Sequence, residues 1–353
     1  MGDGSARMPR GRNAGSARPV SPSLPPERPV RARWPESRHY AALDLGTNNC
    51  RLLIARPQGS GFTVIDAFSR IVRLGEGLAT TGRLSDAAIE RTLAALRICA
   101  EKLKRRNVSL ARSVATEACR QASNGAEFIE RVYHETGIAL DIITAEEEAR
   151  LAVLGCHALL EPGDGPALVF DIGGGSTELV LVDSHVPVPR ILDWHSAPWG
   201  VVSLTEATAA AGQDPEARAA VYADMRARVQ ASFAPFVARL RPPTGTPRLL
   251  GTSGTVTTLA SVHLGLPAYD RSVVDGLIVP AAAMRDVSRR LAGMSMGERS
   301  QVPCIGSERA DLVVAGCAIL ESILDLWPAE RLGIADRGIR EGILRRLMSG
   351  AGL

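Results

Sequence analysis

The sequence predicts an α/β protein made of two related halves, and three observations carry that prediction. Its 353 residues are about twice the ~150 of an ordinary domain. From Tyr40 onward, short apolar runs alternate with helical periodicity, in an order that starts with three strands and starts again near residue 167. The segment Leu43-Asp44-Leu45-Gly46-Thr47-Asn48-Asn49-Cys50-Arg51-Leu52-Leu53-Ile54 also aligns without a gap on Phe170-Asp171-Ile172-Gly173-Gly174-Gly175-Ser176-Thr177-Glu178-Leu179-Val180-Leu181, 127 residues further on. That offset is one domain length, not the short period of a solenoid.

Residues 1–39 come first and contain seven prolines, four glycines and several serines among arginines, with no apolar periodicity. Such a segment cannot bury enough surface to fold, so a disordered tail is expected. The runs YAALDL, CRLLIA and FTVIDAF follow as three strands. Ser85–Arg106 then reads as a helix, with Ile89, Leu93, Leu96 and Leu103 on one face and Ser85 or Asp86 as its N-cap. RSVAT is strand-like, Ala126–Glu135 helical, IALDIIT a strand and Ala145–Leu160 a helix. The second round supplies the strands ALVFDI, ELVLVD and PRILDWHS, a helical stretch near Val201–Ala211, a long helix around Pro215–Leu240 and the strand PRLLGT. Beyond it the chain reads as helical except for one strand, RLGIA, before a last helix over Arg337–Met348.

Composition excludes several classes. With 45% apolar and 22% charged residues, neither wholesale disorder nor a fibrous protein fits. No run approaches the ~18 apolar residues of a membrane span, and the N-terminus has no apolar signal core, so a cytoplasmic protein is expected. The six cysteines lie far apart without a C-x-x-C pair and read as reduced thiols. No histidines show metal-ligand or triad spacing. Residues 1–38 carry eight arginines against three acids, so the body behind them has a net charge of −2 although the whole chain has +3. That body is not a binder of DNA or RNA by charge, and 4% aromatic residues offer no stacking platform. Only Lys102 and Lys104 exist, neither in a G-K-[ST] loop, which rules out P-loop chemistry.

Each copy of the repeated segment sets an aspartate at the end of an apolar strand before a tight turn and a second strand. Glycine lets backbone N–H groups approach phosphate oxygens, and a strand-end aspartate suits a hydrated Mg²⁺, which uses few carboxylates. One such hairpin is as readily an ordinary turn; two of them suggest a phosphate clamp. The consecutive Glu146, Glu147 and Glu148 could complement a helix dipole or supply a carboxylate that activates water. Gly251-Thr252-Ser253-Gly254-Thr255 leaves a strand into a helix, where N–H groups could receive a further phosphate.

DLGTNN and DIGGGSTE resemble the paired phosphate loops of the actin-like ATPase superfamily. With VRLGEGL, ATEACRQA, AEEEARL, GTSGT, SERADLVVAG and DRGIREGIL, the chain from Tyr40 to Met348 is similar to the exopolyphosphatase and guanosine pentaphosphate phosphohydrolase family, in family order. The resemblance implies two ribonuclease H-like domains with an active-site cleft between them, at residues 40–160 and 161–336, the first completed by a C-terminal helix over 337–350. It implies release of terminal orthophosphate from inorganic polyphosphate or guanosine pentaphosphate. Glu148 falls on the family's general base and Arg120 on an arginine that holds phosphate. Asp44, Gly46, Thr47, Asn48, Gly173, Gly174, Gly175, Ser176, Thr177, Gly251, Ser253, Gly254 and Thr255 would bind phosphate, with Arg51 on a more distant phosphate or nucleotide. Asp171 and Glu178 would hold Mg²⁺ or Mn²⁺.

The chain departs from the family pattern at Asn49 and Glu117, where serines are usual, and at Asp275, often histidine; these departures bear on substrate preference. Guanosine tetraphosphate is a further ligand the resemblance allows, a homodimer is left open, and no membrane partner is expected. The rival reading is a regulator that binds alarmone or polyphosphate with little turnover. A sugar kinase or chaperone-type ATPase shares the fold but would need an adenosine pocket that GTSGT matches poorly.

Overall fold

In the computed structural model of the protein, Met1 and residues 38–59, 61–183, 189–208, 214–241 and 245–350 are described. The expected disordered tail lies outside the described residues except for Met1, Arg38 and His39, and His39 already opens the first strand. Strands β1 (His39–Leu45), β2 (Asn49–Gln58) and β3 (Gly61–Ile71) pair antiparallel in succession. A one-turn helix α1 (Leu78–Thr81) leads to α2 (Asp86–Arg105), which Ser85 caps by accepting from the Ala88 N–H at 3.3 Å. Then follow β4 (Val108–Ala115), α3 (Glu117–Gln121), α4 (Gly125–Thr136), β5 (Leu140–Ile142) and α5 (Ala145–Cys156). β4 and β5 continue the sheet in parallel on the free side of β1, giving the order β3-β2-β1-β4-β5.

The second half repeats this plan. β6 (Pro166–Ile172), β7 (Thr177–Asp183) and β8 (Arg190–Ala197) form the antiparallel meander. After α6 (Val201–Ala207) and α7 (Pro215–Val237), β9 (Arg248–Thr252) pairs parallel with β6. Helices α8 (Ser253–His263) and α9 (Arg271–Val274), strand β10 (Ile278–Pro280), and helices α10 (Ala281–Gly293), α11 (Met296–Ser300) and α12 (Val313–Leu326) precede β11 (Arg331–Ala335). The sheet order β10-β11-β9-β6-β7-β8 matches the first sheet strand for strand, with β10 added at one edge. The repeat seen in twelve residues thus extends to the topology. β10 falls in a stretch read as helical, because three residues are too short to show a period of two.

Alternation along β1 sends Ala41, Leu43 and Leu45 to one face and Tyr40 and Ala42 to the other. The first face meets Leu93 and Leu96 of α2 and Phe128 of α4. The second meets Leu151 and Ala152 of α5 and, from α13 (Ile339–Ser349), Ile343, Leu344 and Leu347. α5 is shared: its Ala149, Val153 and Cys156 pack against Ala167 and Val169 of the second sheet. A helix buried from two directions needs small residues, and none of its buried residues is aromatic.

α5 and α13 approach closely through glycine. A Cβ on Gly342 would stand 2.0 Å from the carbonyl oxygen of Leu151. Gly342→Ala should therefore lower unfolding stability by about 1–3 kcal/mol in urea titrations, as overpacked positions do. Gly297→Ala in α11, where nothing lies within 4 Å, should leave it unchanged or slightly higher.

Candidate active site

The two repeated hairpins close in the same way. In the first, the Gly46 N–H donates to Asn49 O at 2.9 Å; in the second, the Gly173 N–H donates to Ser176 O at 3.0 Å. Strand pairing sets Asp44 opposite Arg51 and Asp171 opposite Glu178. The turns meet: a Cβ on Gly174 would lie 3.0 Å from Thr47 Cβ and 3.1 Å from Asn48 N, so only glycine allows the loops to come this near.

The turns line a cleft that also takes in Asp44, Arg51, Asp171 and Glu148. α8 contributes its N-terminus through Ser253, Gly254 and Thr255. Ser253 has a left-handed φ of 80°, a strained backbone for a residue with a side chain, and its hydroxyl donates to Ile172 O at 2.6 Å. Arg51 reaches across from the first half, its Nη2 lying 3.2 Å from where a Cβ on Gly254 would be. Of the residues expected to bind phosphate, Gly251 and Thr177 do not line the cleft. A Cβ on Gly251 would strike the Phe170 ring in the core, and the Thr177 hydroxyl donates to Trp199 O at 2.6 Å.

Four carboxylates converge without enough positive charge to match them. Burial pushes Asp171 up to about 6, with the Ser253 hydroxyl opposing and Asp44 adding to the rise. Burial likewise raises Asp44, with Arg51 and Arg340 opposing. Glu178 is pushed up to about 7 by burial and by Asp171, although it accepts from Ser176 Oγ at 2.7 Å and Ser196 Oγ at 3.0 Å, both on Oε1. Glu148 stands on the first turn of α5, capped by Thr144. Burial raises it well above the usual carboxylate range, Glu178 adds to the rise, and Arg120 opposes.

Arg120 does not line the cleft. Its Nη1 donates to Ile143 O at 2.6 Å and its Nη groups to Glu148 Oε2 at 3.3 and 3.2 Å. Its Nε donates to Glu117 Oε2 at 3.0 Å. The sequence reading missed Thr116, Arg309, Asp336, Arg337 and Arg340, all of which line the cleft, as does Glu117, noted there only as a departure bearing on substrate preference. Arg309 donates to Thr258 Oγ1 at 2.9 Å. The segment Asp336–Arg340 crosses the cleft between β11 and α13, and Asp275 anchors it by accepting from Asp336 N at 3.0 Å and Arg337 Nε at 2.7 Å. ATEACRQA holds Thr116, SERADLVVAG holds Arg309, and DRGIREGIL holds Asp336, Arg337 and Arg340, but arginines are too common here for spacing to single them out.

Polar contacts also join the halves beside the cleft. Arg73 Nη1 donates to Asp311 Oδ2 at 2.8 Å, and the Gly77 N–H donates to Glu206 Oε1 at 2.9 Å. The Arg73 and Gly75 N–H groups in turn donate to the carbonyls of Asn48 and Thr47, so this segment braces the first hairpin turn.

Among the described residues no group of three or more histidine, cysteine, aspartate or glutamate side chains is placed to cage a metal ion. A hydrated Mg²⁺ needs only one or two carboxylates plus phosphate oxygens and water. Asp171 and Asp44, half-buried in the cleft wall and mutually repelling, fit that requirement. Glu178, expected to hold the cation with Asp171, does not line the cleft: it is buried behind the second turn, where it accepts from two serine hydroxyls.

A family model described as the Ppx/GppA phosphatase family matches residues 53–350. Exopolyphosphatase 2 of Mycobacterium tuberculosis is 33% identical over 317 residues, covering 86% of this chain and 96% of its own length. The guanosine-5'-triphosphate,3'-diphosphate pyrophosphatase of Aeromonas salmonicida is 30% identical, covering 88% of this chain but 59% of its own. A crystal structure of the Aquifex aeolicus Ppx/GppA family member superposes with a TM-score of 0.72 at 28% identity, over 90% of this chain and 99% of that one. An exopolyphosphatase from Cytophaga hutchinsonii superposes at 0.78 with 23% identity, over 89% and 99%, a likeness of fold. The α/β fold expected from the paired loops is the fold found.

Asp171 has a pKa of about 6 in the fold against 3.8 for the unfolded residue. The folded state then binds the proton more tightly, so its stability falls as pH rises from about 4 to about 6. In chelator-treated protein, Asp171→Asn should unfold at higher denaturant than the parent at pH 8, by up to about 3 kcal/mol, with the gain vanishing below pH 4. Urea titrations at both pH values check this.

Proposed function

The chain belongs to the Ppx/GppA phosphatase family, and from that premise we propose that it is a hydrolase releasing terminal orthophosphate from inorganic polyphosphate, guanosine pentaphosphate or both. The observation that carries the reading is the meeting of the two hairpin turns in one cleft with the Glu148 carboxylate beside them. Phosphoryl transfer asks a protein mainly for positioning and charge. The N–H groups and hydroxyls of the turns, with the N-terminus of α8, would hold the terminal phosphoryl group. Arg51, Arg309 and Arg340 would take the negative charge of the rest of the substrate.

Glu148 would accept the proton of the attacking water. Its raised affinity for a proton suits a general base, and Arg120, bonded to its Oε2, opposes the rise. A divalent cation, Mg²⁺ or Mn²⁺, held by Asp171 with Asp44 or Glu178 when bound, would offset phosphate charge. Cytoplasmic residence belongs to the same proposal, supported by six cysteines that are all free thiols. No helix among the described residues is long and apolar enough to cross a membrane.

Phosphate release from long-chain polyphosphate and from guanosine pentaphosphate, measured separately with Mg²⁺, tests the proposal. Glu148→Gln should lower kcat about 10²–10⁴-fold while substrate still binds. Equal background rates for both proteins, with ligand bound tightly, would replace the hydrolase with a regulator. Chelation of divalent cations should abolish turnover, and added Mg²⁺ or Mn²⁺ should restore it.

A further inference from the structure

Arg120 stands where the resemblance implies a hold on substrate phosphate, yet its nitrogens are already taken. Nε faces Glu117, Nη1 faces Ile143 O and Glu148, and Nη2 faces Glu148 and Glu117. Glu117 is itself fixed, because Gln121 Nε2 donates to its other carboxylate oxygen. Glu117 also lines the cleft and comes up against the second phosphate turn. A Cβ on Gly175 would lie 2.9 Å from Glu117 Cγ. An anion entering the cleft at this point therefore meets a carboxylate, with the guanidinium behind it.

A serine in place of Glu117 would change two things. The group made of Glu117, Arg120 and Glu148 would lose its net charge of −1, and Nε with part of Nη2 would become available while Nη1 stayed on Ile143 O and Glu148. Charge-assisted bonds from a guanidinium to phosphate are among the strongest polar contacts in proteins. We infer that Glu117 is a specificity-determining positioning residue: it holds the Arg120 guanidinium on Glu148 and so withholds it from the terminal phosphate of the substrate. The inference deepens the hydrolase reading and rests on it for the identity of the phosphate site. In consequence affinity shifts toward the cleft arginines on other elements, Arg51, Arg309 and Arg340, and the terminal group is held mainly by backbone N–H groups.

The test is a double-mutant cycle on Glu117 and Arg120, with two readouts. Calorimetry gives the Kd for inorganic tripolyphosphate with Mg²⁺ present, and phosphate release gives KM and kcat. Glu117→Ser should tighten Kd and lower KM about tenfold, with kcat moving less. Glu117→Asp, which keeps the charge, should stay near the parent. In an Arg120→Gln background, Glu117→Ser should change Kd less than about twofold. A Kd unchanged or weakened by Glu117→Ser, or the same tightening in both backgrounds, would overturn the inference. Absence of turnover in the parent with the Kd pattern intact would sink the hydrolase reading alone. Absence of any tripolyphosphate binding by parent and variants would overturn both.

Discussion

Like charges brought out of water repel strongly, and this fold brings together four carboxylates that do so. Asp44, Glu148, Asp171 and Glu178 each hold their protons more tightly than free carboxylic acids, burial being the main cause in every case. Nothing in hydrophobic packing would select such an arrangement. It persists because strand ends and a helix start, each rigid on its own account, are locked in place by two sheets and the helix between them. Asp44 and Asp171 sit at equivalent points of equivalent hairpins, and Glu148 rises from a helix that both sheets bury. The geometry that suits a polyanion with its cations is therefore uncomfortable without them, and the arginines along the cleft offset only part of the repulsion.

Much of this was legible in the sequence, for identifiable reasons. The offset of 127 residues between the hairpins survives as a shared strand order, because a Gly-rich turn between two apolar strands is a local signal that tertiary context rarely overrides. The helix over 86–105 showed its apolar face and its serine cap. What escaped was either too short or too distant. Strand β10 and helix α3 contain three and five residues, less than any periodicity needs. Arg309, Arg337 and Arg340 enter the cleft from elements far along the chain. Among 39 arginines, only three-dimensional convergence separates these from solvated ones.

The placement of Arg120 shows how much a matched position depends on its neighbours. The guanidinium is shared between Glu117, the Ile143 carbonyl and Glu148, and Glu117 stands where the resemblance leads one to expect serine. Asp275 behaves differently. It also departs from the pattern, yet it ties down the chain that crosses between β11 and α13. Two departures read alike in sequence thus touch different parts of the site, one the Arg120 guanidinium and one the chain crossing.

That crossing sets an order of assembly. The second face of the first sheet, with Tyr40, Ala42 and Leu53, is covered by Ile343, Leu344 and Leu347 from α13. During synthesis the amino-terminal half leaves the ribosome with this face covered only in part, by α5, and stays so until residues 339–349 have been made. The first sheet thus has its five strands by Ile142 but gains its full cover only once the last helix has been made, so the amino-terminal half is finished from the far end of the chain.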